Sequence, residues 1–436
     1  MRKLLFGLLT LILFSCNQTN DHTADATTLH QSVKKLSDVI VYDIFSPPVA
    51  SRVYVYPAIA AYEAARHSDS TYLSLAGQLK GLNPFPQPNQ NEEYAYDVAA
   101  LHAFIKIGTF LTFSENRMEE HRTVLFDKIK EGGISNAVLT RSIEFGELTA
   151  DHVLEWADKD NYKQTRSFPK YSITNDNSMW KPTPPGYGEG IEPSWNKIRP
   201  FVIDSATQFV PLPPTEFSLD KNSQFYKETM EVYEVVKNAD AEKTEIASFW
   251  DCNPFALNVT GHVMHATKKI SPGGHWIGIT RIACEKTNSD FVKSAYSYAL
   301  TSIALADGFI SCWDEKYRSK LVRPETVINE NIDPDWVPVL QTPPFPEHTS
   351  GHSVISRAAA IALTSIFGDN FEYEDDVELE YGLPVRKFNS FIHASEEAAI
   401  SRLYGGIHYR PAIDYGVSQG EEVGNFVINN LSLIKN

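Results

Sequence analysis

A chain of 436 residues, 42% hydrophobic and 22% charged, can bury a large core in one domain or two and has an ordinary globular composition. Its formal net charge of −16 excludes nucleic acid as a partner, because phosphates would be repelled by such a surface. On that acidic background, any clustering of Lys and Arg at one place carries information.

The chain opens with Arg2 and Lys3 and an apolar run over 4–14, too short for the roughly 20 residues that a membrane span requires. The run ends in Leu13-Phe14-Ser15-Cys16, which resembles a bacterial lipoprotein signal covering 1–16. The resemblance implies lipid modification of Cys16, export, and attachment through lipid alone to a membrane facing the periplasm or the cell exterior. A plain secretory signal with an incidental cysteine is the alternative. Small polar residues over 17–32 predict a flexible tether. Three cysteines follow, Cys252, Cys284 and Cys312, an odd number without close spacing, so at most one disulfide can form.

Apolar residues recur at three- and four-residue spacing over 33–45, 50–66, 92–111, 115–131 and 135–158, which predicts helices. Composition then shifts. From 161 to 217 the chain is rich in Pro, Trp, Tyr, Asn and Ser, and its aromatics predict a long irregular segment that packs over a surface. Helical patterning resumes at 219–238, 291–317, 353–367, 388–403 and 413–430, while strand-like alternation is scarce. The expected fold is all-α, a large helical bundle wrapped by the Pro- and aromatic-rich segment. It divides into an N-terminal region, 33–215, and a C-terminal region, 216–436. The acidic stretch 369–380 reads as a solvated connector. His262-x2-His265 is a weak metal-ligand spacing, better explained by a packed or solvent-facing pair.

Three short segments of the C-terminal region carry chemistry. Lys316 and Arg323 stand seven apart, which puts both on one face of a continuous helix that Pro324 would end. Ser350-Gly351-His352 precedes an apolar helix, so a hydroxyl and a closely approachable backbone N–H sit at a helix N-terminus, where anions are favoured. Arg402 and His408 flank Gly405-Gly406, and a helix ending near Tyr404 would let them converge across the turn. Alone, each has a bland explanation: a solvated basic face, an ordinary N-cap, a Gly-capped helix. Together they supply a lysine, two arginines, a serine, a glycine N–H and two histidines, a set suited to holding a tetrahedral or trigonal-bipyramidal oxyanion.

The order K-x6-RP, SGH, SR-x5-H resembles the vanadium-dependent haloperoxidases and the type 2 phosphatidic acid phosphatase superfamily. Asp307, Trp313-Asp314-Glu315-Lys316 and Phe345 resemble the haloperoxidase branch, and Pro272-Gly273-Gly274-His275-Trp276 is similar to its bacterial members. The resemblance implies a vanadate cofactor bound axially by His408 and held by Lys316, Arg323, Arg402, Ser350 and the Gly351 N–H. His352 would take a proton from hydrogen peroxide, Lys316 would polarise the oxidant, and Trp313 and Phe345 would line the halide side. Two positions depart from the pattern: Thr349 stands where Pro is usual before Ser-Gly-His, and Ala412 where the family often has Asp. Asp307 and Asp414 are the candidates for a supporting role around the site, and the group that orients His408 stays open. The rival is a phosphatase of the same superfamily, with no cofactor, in which His408 would attack a phosphate ester. A third reading is a lipid-anchored oxyanion-binding protein without turnover.

Overall fold

The computed structural model describes residues 24–260 and 263–435. Fourteen α-helices and two small hairpins occur among them. The N-terminal helices are α1 (Ala26–Asp43), α2 (Pro47–Ala65), α3 (Tyr96–Leu111), α4 (Glu115–Glu131), α5 (Asn136–Ala157) and the single turn α6 (Tyr162–Thr165). The irregular segment follows, then α7 (Gln224–Lys237) and α8 (Ala241–Phe249). Strands β1 (Ala256–Thr260) and β2 (Val263–Thr267) pair antiparallel with Ala256 opposite Thr267. The C-terminal helices are α9 (Pro272–Lys286), α10 (Phe291–Ser319), α11 (Pro324–Asn331) and α12 (Gly351–Phe367). After β3 (Tyr373–Asp375), paired antiparallel with β4 (Arg386–Phe388), come α13 (Phe391–Tyr404) and α14 (Arg410–Asn430).

Side-chain caps set most helix starts. Asp25, Ser135, Ser223, Asp240, Ser271, Asp290, Ser350 and Ser390 each accept a backbone N–H from the first turn of the helix that follows. The first of these shortens the expected tether: α1 begins at Ala26, and Leu29 and His30 are already buried. Every residue of α2 is buried, because α3, α5, α9 and α10 pack around it. Its small residues let those neighbours approach.

The C-terminal bundle is assembled on α12, which packs against α10, α13 and α14. Gly416, Gly420 and Gly424 form a stripe at every fourth residue of α14 and make the α12–α14 contact close. A Cβ on Gly420 would collide with the Val354 carbonyl oxygen, and one on Gly416 would lie 3.0 Å from that of Ser350. Ser350 N–H donates in turn to Ala412 O at 2.9 Å, so the start of α12 is tied to the first turn of α14.

The irregular segment over 161–217 is strapped across the C-terminal bundle. Trp180 and Trp195 are buried. Trp180 N–H donates to Lys320 O at 2.7 Å, and Ile191 N–H to Pro344 O at 3.0 Å. The Asp307 carboxylate, in the middle of α10, accepts the N–H groups of Phe201 (2.7 Å), Val202 (2.7 Å) and Ile203 (3.0 Å). Cys252, Cys284 and Cys312 are buried free thiols. Among the described residues no helix is long and apolar enough to cross a membrane.

Candidate active site

Lys316 lies in the last turn of α10, fully buried, and its ammonium donates to the carbonyls of Pro346 (3.2 Å), Glu347 (3.1 Å) and Thr349. The helix does not continue to Arg323, as the sequence spacing suggested. It ends at Ser319, with Lys320 in the left-handed region (φ +53°), and Arg323 is the extended residue before α11. Pro324 therefore begins a helix rather than ending one, which is where its fixed φ and missing N–H cost least.

That turn brings Arg323 into the core. Its guanidinium joins two loops: Nε donates to Phe345 O at 2.9 Å, and Nη1 to Ile407 O at 2.8 Å. Nη1 also lies 3.1 Å from His408 Nε2. Arg402, in the last turn of α13, donates from Nη2 to Trp250 O at 2.6 Å and from Nε to Ser401 Oγ at 3.0 Å. Gly405 and Gly406, the latter at φ +76°, then reverse the chain so that His408 reaches the same cavity.

The hydrogen bonds assign the His408 tautomer. A guanidinium can only donate, so Nε2 beside Arg323 is the acceptor nitrogen, and the ring proton sits on Nδ1. Nδ1 is 2.8 Å from the Glu347 carboxylate, which also accepts the Tyr409 N–H at 2.9 Å. Glu347 is therefore the group that orients His408. Asp414 does not: it is exposed and stands near Arg410. Asp307 serves the strap over 201–203, as described above. Glu347 sits in Pro346-Glu347-His348, just ahead of the Ser-Gly-His segment. No spacing rule singles it out; its only signal is a carboxylate flanked by site residues.

Ser350 caps α12 by accepting the Ser353 N–H at 3.3 Å. At Gly351 an added Cβ would lie 3.6 Å from the Trp313 ring and 3.9 Å from the Lys316 side chain, so the bare backbone opens between them. His352 is hydrogen-bonded to the Trp250 backbone, and its Nε2 has no partner among the described residues. Trp313, Phe345, Gly351, His352, Arg402 and His408 line a cavity of about 640 Å³, mouth included. The Trp313 and Phe345 rings are 5.0 Å apart, and Lys316 Nζ and Arg323 Cζ each sit 5.0 Å from the Phe345 centroid. Trp313 Nε1 is engaged by Ile191 O at 3.1 Å, leaving the apolar part of the indole to the cavity.

The electrostatics follow from three cations packed out of water. Burial pulls Lys316 down to about 8, with Arg323 adding to the fall, and pulls Arg323 and Arg402 down to about 10. Burial raises Glu347 to about 7 against the pull of Arg323 and Lys316. Burial and the neighbouring cations hold both histidines neutral, well below their ordinary value. Glu347 is the carboxylate turned to His408, and Arg323 Nη2 is buried without a partner among the described residues. Buried charges and orphaned donors of this kind are stabilised by an anion at hydrogen-bonding distance. The residues fit a small oxyanion bearing several acceptor oxygens.

Cys16 and His262 lie outside the described residues, as does the His265 side chain. The acidic stretch 369–380 is not simply solvated: Asp375 and Glu378 are fully buried against His275.

A helical bundle enclosing a cationic pocket with two neutral histidines defines an oxyanion-dependent enzyme. Residues 296–435 match the family described as the VCPO second helical-bundle domain. A search of curated proteins found no match. Among solved structures, the first bacterial vanadium-dependent iodoperoxidase is similar over 95% of this chain and 98% of its own, with 52% identity and a TM-score of 0.89. The holo form of a bacterial vanadium-dependent chloroperoxidase covers 89% of this chain and 93% of its own, at 16% identity and a TM-score of 0.68. Its apo form covers 88% and 95%, at 17% identity and 0.66; these two show the fold alone. The chain belongs to the vanadium-dependent haloperoxidase family, and so to the oxidoreductase rather than the phosphatase branch of the resemblance.

Proposed function

We propose that the protein is a vanadate-dependent peroxidase that oxidises iodide with hydrogen peroxide. Halide and a proton combine with peroxide to give the hypohalous acid and water, two electrons passing from halide to the O–O bond as it breaks. The observation that carries this reading is the convergence of Arg402 with neutral His352 and His408 on one cavity, with Arg323 Nη1 3.1 Å from His408 Nε2 and Lys316 Nζ 5.0 Å from the Phe345 ring that lines it. The 52% identity to an iodoperoxidase supports iodide as the halide.

Lys316, Arg323, Arg402, Ser350 and the Gly351 N–H would hold the oxygens of vanadate, and His408 Nε2 would be its nitrogen ligand. Vanadate, when bound, would supply a Lewis-acidic centre that activates peroxide. Glu347 keeps the His408 proton on Nδ1, so Nε2, which accepts from Arg323 Nη1, carries the lone pair available to a ligand. His352, neutral and with Nε2 unpartnered, accepts a proton from incoming peroxide. Lys316 would polarise the oxidant, and the ring edges of Trp313 and Phe345 would receive the soft halide. We further propose export as a lipoprotein acylated at Cys16; labelled palmitate should enter the wild-type chain and not Cys16→Ala.

The test is a paired assay on protein reconstituted with vanadate. Peroxide-dependent oxidation should be fastest with iodide, and phosphomonoester hydrolysis should be absent without vanadate. Hydrolysis alone would reverse the assignment. In His352→Ala, vanadate uptake should persist while turnover falls by roughly 10²- to 10⁴-fold; loss of uptake with no turnover in the parent protein would point to a binding role.

A further inference from the structure

Adjoining the oxyanion pocket, whose cavity Cys252 also lines, lies a second cluster that the reaction does not use. Cys252, in the loop after α8, His275, in the first turn of α9, and Glu378, after β3, are all buried, and their ligand-type atoms lie within 4.8 Å of one another. Cys252 Sγ is 3.3 Å from His275 Nδ1 and 3.6 Å from Glu378 Oε1, and Nδ1 to Oε1 is 3.3 Å. Tetrahedral zinc with ordinary Zn–S, Zn–N and Zn–O bonds has ligand–ligand edges of about 3.4–3.6 Å. The triangle of this protein has nearly that size without any adjustment.

Two further observations point the same way. His275 Nε2 is 2.9 Å from Asp375 Oδ2, and Asp375 accepts the Val377 N–H at 3.0 Å. A carboxylate on the far nitrogen is the usual arrangement behind a metal-bound histidine, since it fixes the tautomer and leaves the near nitrogen as ligand. Glu378 Oε2 is buried with no partner among the described residues. Without a cation, one imidazole faces two buried carboxylates and a thiol, a surplus of negative charge in a dry place. Trp250 stacks on the His275 ring at 4.6 Å and covers that face of it.

We infer that Cys252, His275 and Glu378 bind one divalent metal of the zinc class through thiolate sulfur, imidazole nitrogen and carboxylate oxygen, with a fourth position left for water. The metal joins three chain segments distant in sequence: the loop after α8, the start of α9 and the connection after β3. Its effect on the neighbouring site runs through Trp250, two residues before Cys252. The Trp250 carbonyl accepts from Arg402, and its backbone holds His352. The metal thus fixes the loop that positions two groups of the oxyanion pocket.

The full chain, purified without vanadate or chelator, tests this by elemental analysis and by cobalt(II) substitution. About one zinc per chain is expected, falling below a tenth in Cys252→Ala. In Glu378→Gln zinc affinity should drop by roughly 10- to 100-fold. Cobalt replacing zinc should give a thiolate-to-metal charge-transfer band that Cys252→Ser abolishes. Chelator should lower the thermal midpoint of the wild type and zinc should restore it, a measurement that stands even if the variants fail to fold. Wild-type protein that takes up neither zinc nor cobalt, with a thermal midpoint unchanged by chelator, would overturn the site.

Discussion

Glu347 is the residue with the most leverage over the pocket. Its carboxylate fixes the His408 tautomer and is the negative charge set against Lys316 and Arg323. Glu347→Gln keeps the shape but weakens the acceptor, so vanadate affinity should fall about 10- to 100-fold, as measured by titration of the metal-free protein. Lys316 sets the pH range. Burial holds the free site near 8, and a bound anion raises it. Below pH 8 the ammonium is charged with or without the anion, so affinity is full there. Above it the free site has lost a proton that binding must restore, and affinity should decline by up to about tenfold per pH unit. Lys316→Met should bind weakly with a flat profile over that range. The Lys-Arg, Ser-Gly-His and Arg-His segments were legible through their joint order along the chain, although the Lys316–Arg323 spacing misplaced the helix end. Glu347 was not, since its role exists only where residues 347 and 408 meet in space.

Among the helices, periodicity located those with one solvated face, such as α4 and α5, to within a residue or two. It did not pick out α8, α9 and α11. Gly273-Gly274 argues against a helix in isolation, and Pro324 suits either a stop or a first turn. Only the fold selects the first turn, because Arg323 must leave the axis of α10 to reach Phe345 and Ile407. The glycine stripe of α14 was likewise unread, although its period of four matches the row that faces α12. Gly420→Ala should force α14 away from the Val354 carbonyl and cost about 1–3 kcal/mol in a urea unfolding experiment. Because Ser350 is bonded to Ala412, the same variant should also loosen vanadate binding.

For the molecule as a whole, the all-α class followed from the scarcity of alternating segments, and the aromatics of 161–217 signalled that this stretch packs rather than dangles. Its path over the Asp307 carboxylate and the Pro344 carbonyl could not be read, because those contacts join residues more than a hundred positions apart. The formal charge of −16 has a kinetic consequence. Anions approaching the pocket are repelled at long range, and salt shortens that range to about 10 Å near 0.1 M. The association rate of vanadate, followed by stopped flow, should rise several-fold between about 10 mM and 200 mM inert salt, the reverse of ordinary steering.

Arg323 anchors two backbone carbonyls through Nε and Nη1 and keeps Nη2 for a guest. The chamber is thus assembled before anything enters, and its dimensions are the same for every tetraoxo ion of similar size. Charge and volume cannot then sort one such ion from another. Selection falls to the lone pair of a single imidazole nitrogen, which rewards only a central atom willing to take a fifth bond.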